Sequence, residues 1–382
     1  MDWSGAFGVD ATLIDNYRRI EPGQDNSNIA GSQEIPLAAG NHANASWQSY
    51  VFRLQPNLIV NDAATLKAEF SSGYGRGGHL GQNTTQNQQG TMANALYPYN
   101  TSDGNDGLIV NQLYMELYSD LATYKIGRHS FDWALGAVYN DGDQLWDRHF
   151  SIRDGITMDL KLGTFFIKPY WAKVTQGSSF TRATNVKEWG LSLLYDNPER
   201  DLSFGILYGL KQNNAFNNDL DHDIDGDGTT TDLGQTDVKI TDIYFKKAFG
   251  QFDVALEVPL MSGEIGNVYN SDQTNYKARA YLFEGNWRPS ESWTVGLDAG
   301  RVTGDTGNQS SFDAMYLHPN FQISDMLFRY NLYAVSNQNQ NVYDSYITNA
   351  HYLKLRGKYK VDKWKLNAAV IYAQALETAS AG

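Results

Sequence analysis

Apolar and polar residues alternate with a period of two along most of the chain, and helical periodicity is almost absent. Residues 48–55 set Tyr50, Phe52 and Leu54 against Ser49, Arg53 and Gln55; residues 66–71 set Leu66, Ala68 and Phe70 against Lys67, Glu69 and Ser71. The scheme returns in Leu113, Met115 and Leu117, in Ile156, Met158, Leu160 and Leu162, and in Trp189, Leu191, Leu193 and Tyr195. It continues through 202–210, 252–260, 293–299, 353–359 and 364–372. The pattern predicts strands of roughly 9–12 residues, longer than the mean of about 5–6 in soluble sheets. That length is close to the ~9–11 residues that cross a bilayer at a tilt.

The connections alternate in length. Short turns fall at 60–65, 119–122, 162–164, 196–201, 248–251, 288–292 and 361–363. Between them lie long polar, Gly- and Asn-rich stretches at 20–45, 75–107, 129–151, 213–235, 262–275 and 303–345, with only the stretch near 175–185 brief. A wall with one tight rim and one elaborated rim is the plan of an all-β, transmembrane antiparallel up-and-down β-barrel with short periplasmic turns and long extracellular loops. One domain over 1–382 is expected, since no repeat or Pro/Gly/Ser-rich linker divides the chain. Taking 312–343 as one surface loop leaves about fifteen strands, and bacterial barrels use even numbers. Taking 321–335 as a strand makes about sixteen, but moves the turn at 361–363 to the wrong rim. The expectation is about sixteen strands, or eighteen, with a C-terminal closing strand missing after Gly382.

Composition and charge shift this picture at four points. No apolar run approaches the ~20 residues of a membrane-spanning helix, which excludes helical spans but not strands. The 24 tyrosines and nine tryptophans outnumber the 17 phenylalanines, favouring aromatics with one apolar and one wet end, as at membrane interfaces. The absence of cysteine excludes disulfides, a thiol nucleophile and thiolate metal sites. The net charge of −13 argues against a nucleic-acid partner. The opening "MDWSGAFGVD" lacks the sections of a signal peptide, and reads as a mature chain restarted with Met or as a cytoplasmic protein.

Candidate chemistry falls in two loops and on the polar stripes. Arg53, Lys67, Arg153, Lys161, Lys277, Arg279, Lys354, Arg356 and Lys358 lie opposite apolar stripes, with Glu69, Glu116, Asp159, Asp253, Glu257 and Asp298. In a barrel this face lines a wet lumen, where charges of both signs set the field felt by solutes. Segment 126–155 is the densest, with Arg128, Asp132, Asp141, Asp143, Asp147, Arg148 and Arg153 around Trp133, Tyr139 and Trp146. Within it, 129–151 is the candidate constriction loop, and Lys161, Arg279 and Arg356 are candidate lumen residues.

The acidic loop at 213–235 contains "DHDIDGDGTTTD", with Asp221, Asp223 and Asp225 at alternate positions, then Gly226, Asp227 and Asp232. This fits a calcium loop, in which hard oxygen ligands wrap one ion and a glycine permits the sharp turn. Asp232 at the twelfth position reaches less far than Glu. Residues 213–237 hold seven aspartates and no basic residue, which is over half of the net charge.

"GYGRGG" at 73–78 has no following helix to receive a phosphate, the seven histidines lack metalloprotease spacing, and no G-x-S-x-G elbow is present. No enzyme is expected. Asp141 and Asp143 lie in one glycine-rich loop, with no evident means of raising one pKa as a glycosidase needs.

With "GR" at 127–128 closing a strand before a Gly/Trp/Asp-rich loop, and with "FDAMYLHPNFQ" at 312–322, the chain resembles Gram-negative outer-membrane porins, most closely the alginate-export-like group. The mixed inner charges differ from the strongly basic lumen of the polysaccharide exporter itself. The resemblance implies an outer-membrane channel for passive diffusion of small hydrophilic solutes or ions, contacts with outer-membrane lipid and lipopolysaccharide, and a homotrimer. The alternative is a soluble or secreted all-β carbohydrate-binding protein or enzyme braced by calcium. A barrel enzyme such as a lipase or protease is the third reading, and no nucleophile–base pair supports it.

Overall fold

The computed structural model describes residues 1–14, 45–72, 76–80, 108–175, 186–213, 236–266, 274–307, 311–324, 327–330 and 342–378, with the backbone of 221–222 and 231–232. Fifteen long strands follow one another around a single sheet. They are β1 (Asp2–Ile14), β2 (Ala45–Asn61), β3 (Ala64–Ser72), β4 (Leu108–Tyr118) and β5 (Ala122–Ser130). Next come β6 (Ile152–Leu162), β7 (Phe165–Thr175), β8 (Val186–Asn197), β9 (Leu202–Gln212) and β10 (Thr236–Phe249). Last come β11 (Phe252–Ile265), β12 (Asn275–Ser290), β13 (Trp293–Val302), β14 (Ala350–Val361) and β15 (Trp364–Ala375).

Each pairs antiparallel with the strands before and after it in the chain, the up-and-down order expected from the alternation. A short piece at Gly77–His79 continues β3 along β2, and Ser311–Phe312 adds to β12 in parallel. Among the described residues the ladders run from β1 to β15 without closing: β1 pairs only with β2, and β15 only with β14. The described residues of 313–324, 327–330 and 342–349 contain no strand.

Burial is inverted relative to a soluble sheet. Apolar side chains of alternate positions are exposed, among them Leu193 at 41%, Phe204 at 46% and Ile243 at 46%. The positions between them carry buried polar side chains, including Ser49, Arg53, Glu69, Glu116, Thr157, Glu188, Asp242 and Glu257. Charged groups out of bulk water persist only when paired. Several charges of this face are paired: Lys67–Glu116 at 2.7 Å, Lys125–Asp159 and Lys168–Asp159 at 3.4 Å, and Arg356–Asp298 at 2.8 Å, whereas Asp242 and Glu257 have no basic partner among the described residues.

The apolar core is local, and it forms where two long connections meet the inner wall. Phe131, Trp133 and Tyr139 of the β5–β6 connection pack on Leu207, Val238 and Ile240 of β9 and β10. Ala137 of the same connection joins Met315, Leu317, Phe321 and Ile347 of the β13–β14 connection against Ala278, Ala280 and Leu282 of β12.

Candidate functional site

The β5–β6 connection, 131–151, is held at both ends by buried side chains from the wall. On one side three arginines fasten it to the wall, two of them by gripping its backbone. Arg53 of β2 donates to the carbonyls of Gly142 and Gln144, both at 2.8 Å. Arg76 donates to the Gly142 carbonyl at 2.6 Å and the Asp147 carbonyl at 3.1 Å, while its other edge pairs with Glu69 at 2.8 Å. Arg148, from the loop itself, reaches back to Ser49 Oγ at 2.8 Å and the Tyr50 carbonyl at 3.2 Å, and lies over the Tyr343 ring. Gly142 sits at φ +70°, where a side chain would be strained.

The opposite side is an aromatic cage around Arg153. Its guanidinium lies 3.4 Å from the Phe131 ring centre and 3.5 Å from that of Tyr170, and pairs with Glu188 at 3.1 Å. Glu188 also accepts from the hydroxyls of Tyr139 at 2.7 Å and Tyr170 at 2.8 Å, with Lys211 at 3.6 Å. Further along, Glu257 of β11 accepts from the Leu135 amide at 2.7 Å. The loop therefore bridges β2–β3 to β8–β11 across the inner face.

A second loop completes the site. The His318 amide donates to the Ala137 carbonyl at 2.7 Å, and Asn320 donates to the His149 carbonyl and to Asn140 Oδ1. His149 contacts Asp344 at 3.2 Å. Burial lowers the His318 imidazole to about 4, with the nearby His149 adding to the effect, so it is neutral at pH 7. The 312–322 motif suggests a loop element; its docking onto the β5–β6 connection has no local sequence signature, because that contact joins segments far apart in sequence.

Asp132, Asp141 and Asp143 come together on the loop. Burial, then the fields of Asp132 and Asp143, push the Asp141 carboxyl up to about 6. Asp132 and Asp143 are exposed. Asp147 points its carboxylate at the Gln144 amide, and burial raises its pKa.

The wall residues sort by strand parity. Arg153 and Lys161 lie on the inner face of β6, with Thr157 and Asp159, and Arg356 lies on the inner face of β14 with Lys354, both bonded to Asp298. Arg128, Lys277 and Arg279 do not line the lumen. Arg128 alternates with Ile126 on the outer face and forms a bidentate pair with Asp154, both bonds 2.7 Å. On β12 the buried set is Ala278, Ala280 and Leu282, beneath the two inserted loops, so Lys277 and Arg279 face outward with Tyr281. The polar-in rule inverts there because the inner face is covered by protein rather than water.

Of the calcium-type loop, only a backbone ladder is described, pairing Asp221 with Asp232 and His222 with Thr231. Asp223, Asp225 and Asp227 lie outside the described residues. Among the described residues no three carboxylate or imidazole groups gather in a way that could hold a metal ion.

Wall residues missed as loop anchors include Ser49, Arg76 and Glu188. Glu188 carried a signal, a lone carboxylate beginning the apolar run "WGLSLLY".

No protein-family model matches the chain, and no curated protein matches its sequence. Among solved structures it is similar to a loop L8 deletion mutant of OmpT, an outer membrane protein of Vibrio cholerae, at 11% identity over 99% of this chain and 94% of that one, with TM-score 0.44. It is also similar to an anion-selective porin from Comamonas acidovorans, at 11% identity over 97% and 90%, TM-score 0.44. A third is OmpF of Salmonella typhi in complex with daunomycin, at 10% identity over 97% and 89%, TM-score 0.46.

Proposed function

We propose that this chain is a porin-type channel of the Gram-negative outer membrane, through which small hydrophilic solutes and ions diffuse passively. The observation that carries it is the inverted wall: exposed apolar side chains outside, paired and buried charges inside. Such a wall is unfavourable in water and expected in lipid. The loop 131–151, anchored at both ends, is the constriction, and the exposed Asp132 and Asp143 supply its field. The Gly127–Arg128 and 312–322 segments support the alginate-export-like class within this reading. A homotrimer is proposed on the same resemblance. No specific observation favours the soluble carbohydrate-binding reading or a barrel enzyme.

Planar-bilayer conductance of detergent-folded protein tests the channel, with unboiled and boiled samples compared on gels. Discrete conductance steps and a heat-dependent mobility shift are expected. A chain soluble without detergent, with no shift and no conductance, would sink the reading. Cross-linking in detergent reads the oligomer.

A further inference from the structure

Below the anchored loop, the inner faces of β1 to β4 form a polar cradle made of two rows of side chains. In the upper row Ser4 of β1 stands opposite Gln55 of β2, and Glu69 of β3 opposite Gln112 of β4. In the lower row Asn57 is opposite Lys67, and Lys67 opposite Tyr114. Arg53, which fastens the loop through Gly142, is the next inward residue of β2 above Gln55. The cradle therefore lies on the short-turn side of the loop. Its residues enclose a cavity of about 180 Å³. An engineered cavity of about 150 Å³ holds benzene, so this one takes a single six-membered ring.

The side chains are fixed by bonds that leave other polar atoms open. Glu69, clamped by Arg76, accepts from Gln55 at 2.9 Å and from Gln112 at 3.4 Å. The Gln112 side-chain oxygen in turn accepts from the Ser130 amide at 3.0 Å. The Tyr114 ring packs beside His129, with centres 5.8 Å apart. The Gln55 side-chain oxygen, the Asn57 side-chain amide and the Tyr114 hydroxyl make no hydrogen bond to any described residue.

Charge does not select a ligand here. Of the described residues lining the cavity, only Lys67 and Glu69 are charged. Both are committed, Lys67 to Glu116 at 2.7 Å and Glu69 to Arg76 at 2.8 Å. Arg53 above is spent on the loop carbonyls of Gly142 and Gln144. Asp2, in register with Asn57, is an acid at the exposed start of β1, which further disfavours an anion. What remains open is neutral, and it both donates and accepts, beside one aromatic ring. A ring bearing several hydroxyls answers all of these groups, because each hydroxyl also donates and accepts. An apolar ring would leave them unmet, and a site built to bond hydroxyls discriminates strongly against such an analogue. We propose that this cradle binds a neutral pyranose ring, which makes saccharides a solute class of the channel. The proposal rests on the channel reading above and names a solute for it.

The full chain, folded in a detergent without a sugar headgroup, is titrated with glucose, glucuronate, glucosamine and cyclohexanol, and binding is read by saturation-transfer NMR. Glucose should bind roughly tenfold or more tighter than cyclohexanol, and no more weakly than either charged analogue. Tyr114→Phe removes one hydroxyl and Asn57→Ala one amide. Each should weaken glucose binding severalfold with the heat-dependent gel shift intact, and N57A/Y114F should bind glucose and cyclohexanol alike. Tyr114→Phe alone decides should the double variant lose its gel shift. Equal binding of glucose and cyclohexanol by wild type would overturn the cradle, as would variants that bind like wild type. Tighter binding of glucuronate or glucosamine would show that the site reads charge, and would overturn it too. Ion current through the same protein in planar bilayers is read with and without glucose. Glucose should lower it reversibly, half-maximally near the binding midpoint, and a current indifferent to saturating glucose would place the binding elsewhere and overturn the cradle. Conductance without glucose binding removes the cradle alone, whereas glucose binding without conductance removes the channel alone.

Discussion

Arg153 is a cation almost fully withdrawn from water, stacked between Phe131 and Tyr170 and paired with Glu188. Removing one partner of a buried pair costs about 3–5 kcal/mol because the other charge is stranded. Arg153→Gln should fall at the lower end, since Lys211 still approaches Glu188. Urea unfolding in detergent would show the loss, and a double change to methionine should restore much of it. Gly142 poses a steric demand instead. A Cβ there would meet the His149 carbonyl oxygen at 2.6 Å, at a φ that side chains avoid. Gly142→Ala should loosen the grip of Arg53 and Arg76, and single-channel records should show larger or noisier conductance; an unchanged trace would refute the anchoring role. Asp141 adds a pH dependence. Its folded pKa of about 6 lies above the unfolded value near 3.9. Between the two the folded chain binds more protons, so stability falls as pH rises from about 4 to about 6 and stays reduced above. As pH drops through about 6 the loop also sheds one negative charge. Reversal potentials should show cation preference declining, and Asp141→Asn should flatten that step.

At the scale of elements, the inserted loops behave as a core of their own. Leu317 and Met315 have no exposed surface, wedged between Ala137 and the inner face of β12. Leu317→Ala should cost about 2–5 kcal/mol by transfer and cavity terms. Because that cost falls on loop docking rather than on strand ladders, protease cleavage within 311–323 should rise before the heat-dependent gel shift is lost. Cleavage unchanged from wild type would place this segment outside the core. The strands themselves were legible because a period-two pattern fixes parity wherever one face is uniformly apolar, as in Trp189–Tyr195. Parity failed on β12, where Ala278, Ala280 and Leu282 are apolar on the inside and Lys277 and Arg279 are charged on the outside. Nothing local distinguishes lipid from a docked loop as the thing an apolar stripe touches. The same limit hid the partners of the β5–β6 connection: Arg53–Gly142 and His318–Ala137 join residues with no shared sequence signal.

For the whole molecule, direction decides what the sheet can do at its free edges. β1 and β15 both run from the short-turn rim towards the long-connection rim, so they cannot pair antiparallel with each other. A strand of opposite direction would pair with both, which agrees with an even strand number in a closed wall. The larger consequence concerns the medium. If the outer face meets water, Ile243 is a half-exposed surface residue, and Ile243→Lys should change stability by no more than about 0.5 kcal/mol. If it meets the middle of a bilayer, the same change should cost about 2–4 kcal/mol. Ile243 lies near the middle of β10, with Ile206 opposite it on β9 and Val258 on β11, so neither rim offers the new ammonium an easy route to water. Lys239, four residues nearer the rim on the same stripe, should tolerate Lys239→Ile with a change below about 1 kcal/mol. Equilibrium folding into phosphatidylcholine vesicles measures both. A steep cost at 243 with a shallow one at 239 fits a wall immersed in lipid, whereas equal small changes would place that wall in water.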